Sequence, residues 1–278
     1  MANRRRLPGL LAIALVAACA NLLAQAGATV AVLGVPEEIA PIERQLSNAR
    51  TERIGSTVVT IGELGGHRVG VGRSGIGKVN AAMAASILIE HFHPVAMVFS
   101  GTAGAVDPSL EPGDVVIGVR VAQHDIGRIT NEGLVRRPTR DSVSGEPNPM
   151  FFDAPEALLA AARHAASELV LPAVQRNGTR AQPHTREGVI VTGDVFVADA
   201  LKRDDLRAFG ATAVEMEGAA MVQVCRQFST PCLVVRGITD SANGSAQVNY
   251  QEWLKPASEN AAAVAIATIA KLPAAAKH

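Results

Sequence analysis

From about residue 28 onward, short β-branched runs alternate with longer stretches of small apolar residues at helical spacing. "ATVAVLG" (28–34) is apolar at consecutive positions, the pattern of a strand buried on both faces. A polar piece with helical spacing follows, from Glu37 to about Asn48. "STVVTIGEL", a Gly65-Gly66 turn and "HRVGVGRSG" predict a hairpin. "GKVNAAMAASILIEHF" (77–92) predicts an alanine-rich helix, and "PVAMVFSG" and "DVVIGVRVAQH" predict strands. Helix 155–170, strand 188–193, helix 198–208, strand 211–215, helix 217–228, strand 231–236 and helix 252–271 complete the series. Such alternation predicts an α/β fold, with a mixed or mostly parallel central sheet flanked by helices on both faces. Between Gly127 and Asp153 the pattern lapses into a polar stretch rich in Arg, Ser, Gly and Pro. Residues 128–153 are therefore read as a surface excursion: a lid, an interface segment or a partly disordered loop. No internal repeat or domain linker is visible, so a single domain is expected.

The first residues stand apart. "MANRRRLPGLLAIALVAACANLLAQAGA" carries Arg4, Arg5 and Arg6, then an apolar stretch from about Leu10, then small residues. This is the three-part layout of an export signal. Residues 1–26 are read as a signal peptide, with Ala24-Gln25-Ala26 as a cleavage site, and 27–278 as the mature domain. Val16-Ala17-Ala18-Cys19 also resembles a lipobox, in which Cys19 would be lipidated and retained. An uncleaved anchor is disfavoured because Asn21 and Gln25 interrupt a run barely long enough to span a bilayer. The expected location is the periplasm, with lipid anchoring through Cys19 left open. Cys225 and Cys232 lie among apolar neighbours and are expected to be buried free thiols, despite the oxidising compartment.

Charge and composition narrow the partners. Lys plus Arg and Asp plus Glu both number 26, and no basic run follows the leader, which argues against nucleic acid. Aromatics are only 3%, too few for a platform that stacks single strands. A small neutral ligand fits better.

Several stretches carry candidate chemistry. "GRSGIGKV" (72–79) nearly matches a phosphate-binding loop, but Val79 stands where a magnesium-binding hydroxyl is needed. Its glycines are better read as allowing close backbone approach. "SGTAGAVDPSLEPGDVVI" follows a strand with glycines and Thr102; its amides either cradle a ligand or make a tight turn. "VTGDVFVAD" places Phe196 beyond another strand, as a stacking ring or a core aromatic. In "AVEMEGAA", Glu215 and Glu217 flank Met216 where a strand hands over to a helix. Capping the helix explains one acid comfortably and two less well. Paired carboxylates there can instead grip the vicinal hydroxyls of a sugar. "VVRGITDSANG" puts Arg236 in a buried strand, where it needs carboxylate partners, and ends on Thr239 and Asp240.

Together, "GVPEEIAPI", "SGIGKVNAA", "SGTAGAV", "TGDVFVAD", "AVEMEGAA" and "VRGITDSAN" resemble the nucleoside phosphorylase superfamily, closest to its methylthioadenosine/S-adenosylhomocysteine nucleosidase branch. The likeness spans residues 29 to 272 in order. It implies a single α/β domain around a mixed, partly barrel-like sheet, with the site at the strand ends. It also implies hydrolysis of the N-glycosidic bond of a purine nucleoside, with water as nucleophile and no metal or cofactor. By the same resemblance Glu217 binds the ribose hydroxyls, with Glu215 beside it as a second substrate-binding acid, Met216 packs under the sugar, and Arg236 belongs to the catalytic set by ordering the acids around the water. Phe196 stacks on the purine and the backbone of Val197 reads its edge. Asp240, beside Thr239, protonates N7 of the leaving base, while Thr102, Ala103 and Gly104 form a loop lining the nucleoside. The general base is Glu38, with Glu37 in reserve, because "PEEI" is one residue shorter than the family spacing from Gly34. Protonating the leaving group while a carboxylate activates water is the division of labour that glycosidases use.

Two alternatives stay open at this point. Phosphorolysis would need a cation for phosphate, for which Arg73 is the candidate, although the acids of the first loop would repel that anion. A non-catalytic exported nucleoside binder would lack either the base or the N7 acid. Export leaves the 5′ substituent undetermined, because methylthioadenosine and S-adenosylhomocysteine arise in the cytoplasm. In relatives a partner subunit closes the 5′ pocket, so a homodimer is expected.

Overall fold

The computed structural model describes residues 29–176 and 178–273; the leader, with Cys19 and the cleavage site, lies outside them. The chain opens with β1 (Thr29–Gly34), buried along its whole length, and turns directly into α1 (Pro36–Glu43). The turn is tight: a Cβ on Gly34 would stand 2.5 Å from both the Ile39 side chain and the Ser100 carbonyl. Proline at the first helical position suits a helix start, since its missing N–H is one that the helix leaves unpaired.

Three antiparallel strands follow: β2 (Ser47–Ile54), β3 (Thr57–Leu64) and β4 (His67–Arg73). The strand β2 replaces the end of the expected polar helix. It lies at the edge of the sheet with most side chains in solvent, so it carries no apolar alternation to betray it. Its charged sequence, "SNARTERI", is of the kind that discourages edge-to-edge pairing.

Next come α2 (Lys78–Phe92), β5 (Ala96–Ala105) and β6 (Val115–Gln123). Residues 128–153 hold more structure than their composition suggests. A two-stranded hairpin, β7 (Gly127–Thr130) with β8 (Gly133–Arg136), is followed by β9 (Phe152–Asp153), which pairs with β6. Asp141 accepts from Gln227 at 2.6 Å, and Arg136 pairs with Asp205 while its guanidinium lies over Phe209, so the excursion is tied down. Then come α3 (Glu156–Glu168), the small hairpin β10 (Val174–Arg176) and β11 (Thr179–Ala181), and β12 (Thr185–Thr192). The chain ends with α4 (Ala200–Ala208), β13 (Ala213–Glu215), α5 (Gly218–Gln227), β14 (Cys232–Asp240) and α6 (Ala246–Ala270).

The main sheet runs β13-β12-β6-β14-β5-β1-β4-β3-β2, with β9 beside β6. Because β13 also pairs antiparallel with β5, the first five strands of that order close on themselves while the rest extend as an open sheet. The partly barrel-like mixed sheet is thus present. One apolar cluster lies between the sheet and α2 with α5, and a second packs α3 and α6 on the other side. Leu88 and Met221 belong to the first, Leu158 and Val264 to the second, all essentially shielded from water.

Two expectations need correction here. Cys225 and Cys232 are not free thiols. The end of α5 and the start of β14 bring their Cα atoms to 6.2 Å, and the sulfurs are joined in a disulfide. Residues 102–104 are not in a loop: they continue β5. Their glycine-rich end still has ladder partners, because β14 pairs Gly237 with Thr102 and Ile238 with Ala103 while β13 pairs Val214 with Gly104.

Candidate active site

The register of β14 against β5 sets the site. Arg236 stands opposite Gly101, and Asp240, past an irregularity, stands opposite Gly104. A Cβ at Gly101 would overlap the Arg236 guanidinium, so glycine is what lets this long cation lie across its neighbour. A Cβ at Gly104 would come to 2.8 Å from Asp240 Oδ1.

Arg236 is fully buried, its guanidinium carbon 4.2 Å from the centre of the Phe99 ring. Three carboxylates converge on it. Its Nη2 donates to Glu215 and lies 3.7 Å from Glu217, while Nη1 lies 3.9 Å from Glu38. Each acid has further partners that separate their roles. Glu215 accepts from the Thr192 hydroxyl and from the amides of Glu217 (3.1 Å) and Gly218 (2.7 Å), so it caps α5 as well as holding Arg236. Both of its oxygens are thus taken by protein donors, so the expectation that Glu215 binds substrate is corrected: it holds Arg236 and the start of α5 instead. Glu217 accepts from the Gly77 amide at 2.7 Å and otherwise faces open space. Glu38 accepts from the Thr102 amide at 2.8 Å and hydroxyl at 2.6 Å, and weakly from the Val35 amide at 3.4 Å. Asp240 accepts from the Thr239 hydroxyl and the Ala242 amide, each at 2.8 Å.

These groups border one cavity of about 290 Å³. Glu38 and Asp240 both line it, and so do Thr102, Ala103, Gly104, Glu215, Met216, Glu217, Thr239 and Phe196. Phe196 is 44% exposed, so it is a wall of the cavity rather than a core aromatic. Glu37 points to solvent, which leaves Glu38 as the acid that α1 turns inward. Arg236, expected in the catalytic set, is fully buried behind the acids and is not among the residues lining the cavity, which corrects its role to positioning. Val197 is buried in a separate apolar cluster and is not among the lining residues.

Burial dominates the electrostatics. Three carboxylates around one guanidinium cannot all ionise freely away from water. Burial, then the neighbouring Glu215 charge, push Glu217 up to about 7 against the pull of Arg236. Burial also raises Glu38, opposed by Arg236 and the Thr102 hydrogen bonds, and raises Asp240 against Thr239 and Ala242. A carboxyl held protonated toward neutral pH can donate a proton, and one that keeps charge-stabilising donors can take one.

The near match to a phosphate loop is explained by the start of α2. The Gly77 amide donates to Glu217 and the Lys78 amide to Asp194 at 2.8 Å, so two of the unpaired N–H groups there already bind protein carboxylates. Gly77 has φ 92°, a conformation that favours glycine, and Lys78 Nζ binds Asp125 at 2.6 Å. Sequence reasoning missed Val35, Ile76, Gln247 and Tyr250 on the cavity wall. The last two escaped because α6 starts at Ala246, ahead of the expected 252; its first turns, "AQVNYQ", are polar and carry no buried stripe.

Comparison with known proteins follows the same lines. Residues 28–270 match the phosphorylase superfamily. A 5′-methylthioadenosine/S-adenosylhomocysteine nucleosidase of Marinomonas sp. (strain MWYL1) is 35% identical over 227 residues, 81% of this chain and 90% of that one. The crystal structure of the enzyme of that name from Neisseria meningitidis, in complex with methylthio-immucillin-A, superposes with a TM-score of 0.75 at 33% identity, covering 88% of this chain and 99% of that one. The futalosine hydrolase of Helicobacter pylori gives 0.74 at 28% identity, covering 87% and 97%.

Proposed function

The chain belongs to the phosphorylase superfamily, and from that membership we propose that it is an N-glycosyl hydrolase of purine nucleosides, of the methylthioadenosine/S-adenosylhomocysteine type. It releases the free base and the sugar. The observation that carries the mechanism is that Glu38 and Asp240, drawn from opposite ends of the chain, open into the same cavity.

In this reading Asp240, its carboxyl raised by burial, gives its proton to N7 as the C1′–N9 bond breaks and the electron pair passes to the purine. Water attacks C1′ from the Glu38 side, forming the new C–O bond, and Glu38 takes the water's proton. Glu217 accepts from the ribose hydroxyls and Met216 lies under the ring, while Phe196 stacks on the base. Arg236 is a positioning residue: it fixes Glu215 and restrains Glu38 and Glu217 without touching substrate. The oxocarbenium character of the sugar is offset by the surrounding carboxylates.

Water is favoured over phosphate by charge. Among the described residues the cavity lining is acidic or neutral, and Arg73 instead lies 4.0 Å from Glu43, outside it. A phosphate dianion would meet Glu38 and Glu217. A purely binding protein would have no use for a base and an acid that open into the same cavity.

The disulfide supports export, since such bonds persist in oxidising compartments. Residues 1–26 are then a signal peptide that directs the protein to the periplasm, with Cys19 retained only if the lipobox is used; an intact leader on the isolated protein would contradict this. Ile76 on the cavity wall and Val79 and Met83 on the following α2 are 63%, 78% and 45% exposed, an apolar surface that supports a homodimer next to the site. Light scattering showing only monomers would count against it.

The functional test incubates the purified protein with methylthioadenosine, S-adenosylhomocysteine, adenosine and inosine, with and without phosphate, and measures free base. Release without phosphate is expected. Release only with phosphate would make it a phosphorylase, and no release would leave a binder.

A further inference from the structure

The stretch that carries Phe196 has no regular structure to hold it: from Gly193 to Asp199 the chain forms neither helix nor strand, and Val195 and Phe196 are exposed. Asp194 fastens it. Its amide donates to Asp125 Oδ2 at 2.8 Å, just past the end of β6, and its carboxylate accepts from the Lys78 amide at 2.8 Å. Lys78 Nζ closes the group, binding Asp125 Oδ1 at 2.6 Å and lying 3.9 Å from Asp194 Oδ2. The start of α2, the end of β6 and the loop after β12 are thus tied at one point.

The helix α2 begins at Lys78, and its N-cap, Gly77, has no side chain with which to satisfy the free amides of the first turn. Asp194 supplies that cap from 116 positions away. The preceding amide, that of Gly77, donates to Glu217 at 2.7 Å, and it is the one hydrogen bond that the Glu217 carboxylate accepts among the described residues. Two consecutive amides therefore serve two acids. Gly77 makes the approach possible: its φ is 92°, and a Cβ there would stand 3.1 Å from Asp194 Oδ1. The peptide planes on either side of Gly77 are rigid, but the glycine between them is a permissive hinge, and pinning the Lys78 N–H limits it.

We propose that Asp194 is a positioning residue: through the Lys78 amide it holds the backbone from which Gly77 donates to Glu217, so that the loop carrying the base-stacking Phe196 also aims the acid that grips the ribose. This rests on the reading of Glu217 as the ribose acid. Around Glu217, burial and the charges of Glu215 and Glu38 disfavour its ionised form, while Arg236 and the Gly77 amide favour it. Asp240 and the uncharged Tyr250 line the same cavity. Loosening Gly77 removes one of only two supports for the Glu217 charge, so binding of the ribose should then need a higher pH.

The experiment measures, by calorimetry, the affinity for a carbon-linked analogue of methylthioadenosine, whose bond to the base cannot be hydrolysed. It compares the wild type with Asp194→Ala and Asp194→Asn at pH 6 and pH 8.5. Asparagine keeps an acceptor for the Lys78 amide but removes the charge, which separates the hydrogen bond from the charge. Asp194 is half-exposed, so neither substitution opens a buried hole, and circular dichroism checks the fold. The wild type is expected to bind about tenfold more tightly at pH 8.5 than at pH 6, as Glu217 ionises near pH 7. In Asp194→Ala that ratio should widen by a further factor of about seven, for a midpoint raised by about one unit, while Asp194→Asn keeps the wild-type ratio. An alanine variant with the wild-type ratio overturns the proposal, even if it binds more weakly at both pH values. So does an asparagine variant as impaired as the alanine one. A wild type that binds the analogue at neither pH would instead bring down the nucleosidase reading, and this inference with it.

Discussion

Replacing Glu217 by Gln is expected to stabilise the unliganded protein at alkaline pH while disabling it. Glu217 is 8% exposed, and the fold raises its carboxyl from an ordinary 4.5 to about 7. The folded chain thus holds this proton more tightly than the unfolded one, so stability declines as pH rises from about 4.5 and levels off above about 7. With each pKa unit worth about 1.4 kcal/mol, ionising Glu217 costs the fold about 3 kcal/mol at pH 8.5, net of the pull of Arg236. Gln is neutral at every pH and its carbonyl can still accept from Gly77. The variant should match the wild type at pH 5 and melt roughly 5–10 °C higher at pH 8.5. Thermal unfolding followed by circular dichroism at the two pH values reads the effect. Glu38 and Asp240 are raised too, and because Glu38 and Glu217 feel each other's charge, the difference reads the loss of the Glu217 charge together with the relief it gives Glu38. Turnover moves the other way, falling about 10²-fold as the charge-assisted bonds to the ribose are lost. A wild type and variant with parallel pH profiles would refute the reasoning, because Glu217 would then be an ordinary carboxylate.

Two further outcomes follow from the same geometry. Asp240→Asn and Glu38→Gln should each lower kcat by about 10²-fold or more with the fold retained, as measured by base release and circular dichroism; full activity in either removes that residue's role. Reducing the Cys225–Cys232 bridge, which closes a loop spanning seven positions, should cost about 2.5 kcal/mol by loop entropy, and a melting temperature indifferent to dithiothreitol would contradict this.

Much of the site could be read from local pattern. "AVEMEGAA" announced a strand handing over to a helix with two acids at the joint, and "VVRGITD" a buried cation followed by an acid at a strand end. Both stand where that reading puts them. What local pattern left undivided was the labour within each group. Glu215 and Glu217 are one residue apart and chemically alike. Only the fold shows that one caps α5 and holds Arg236 while the other is left facing the cavity. Glu37 and Glu38 pose the same problem on α1, and there the turn at Gly34 decides which faces inward.

Periodicity along the chain determined which segments are strands and helices, because a buried face must repeat at the spacing of its own backbone. It failed where no face is buried, at the edge strand β2 and the first turns of α6, and those turns carry Tyr250. The tertiary structure alone decided the closure of β13 on β5, the disulfide, and the alignment of Arg236 with Gly101. Each depends on contacts between residues distant in sequence or on strand register, and register is set by how whole surfaces pack rather than by the residues that end up facing each other.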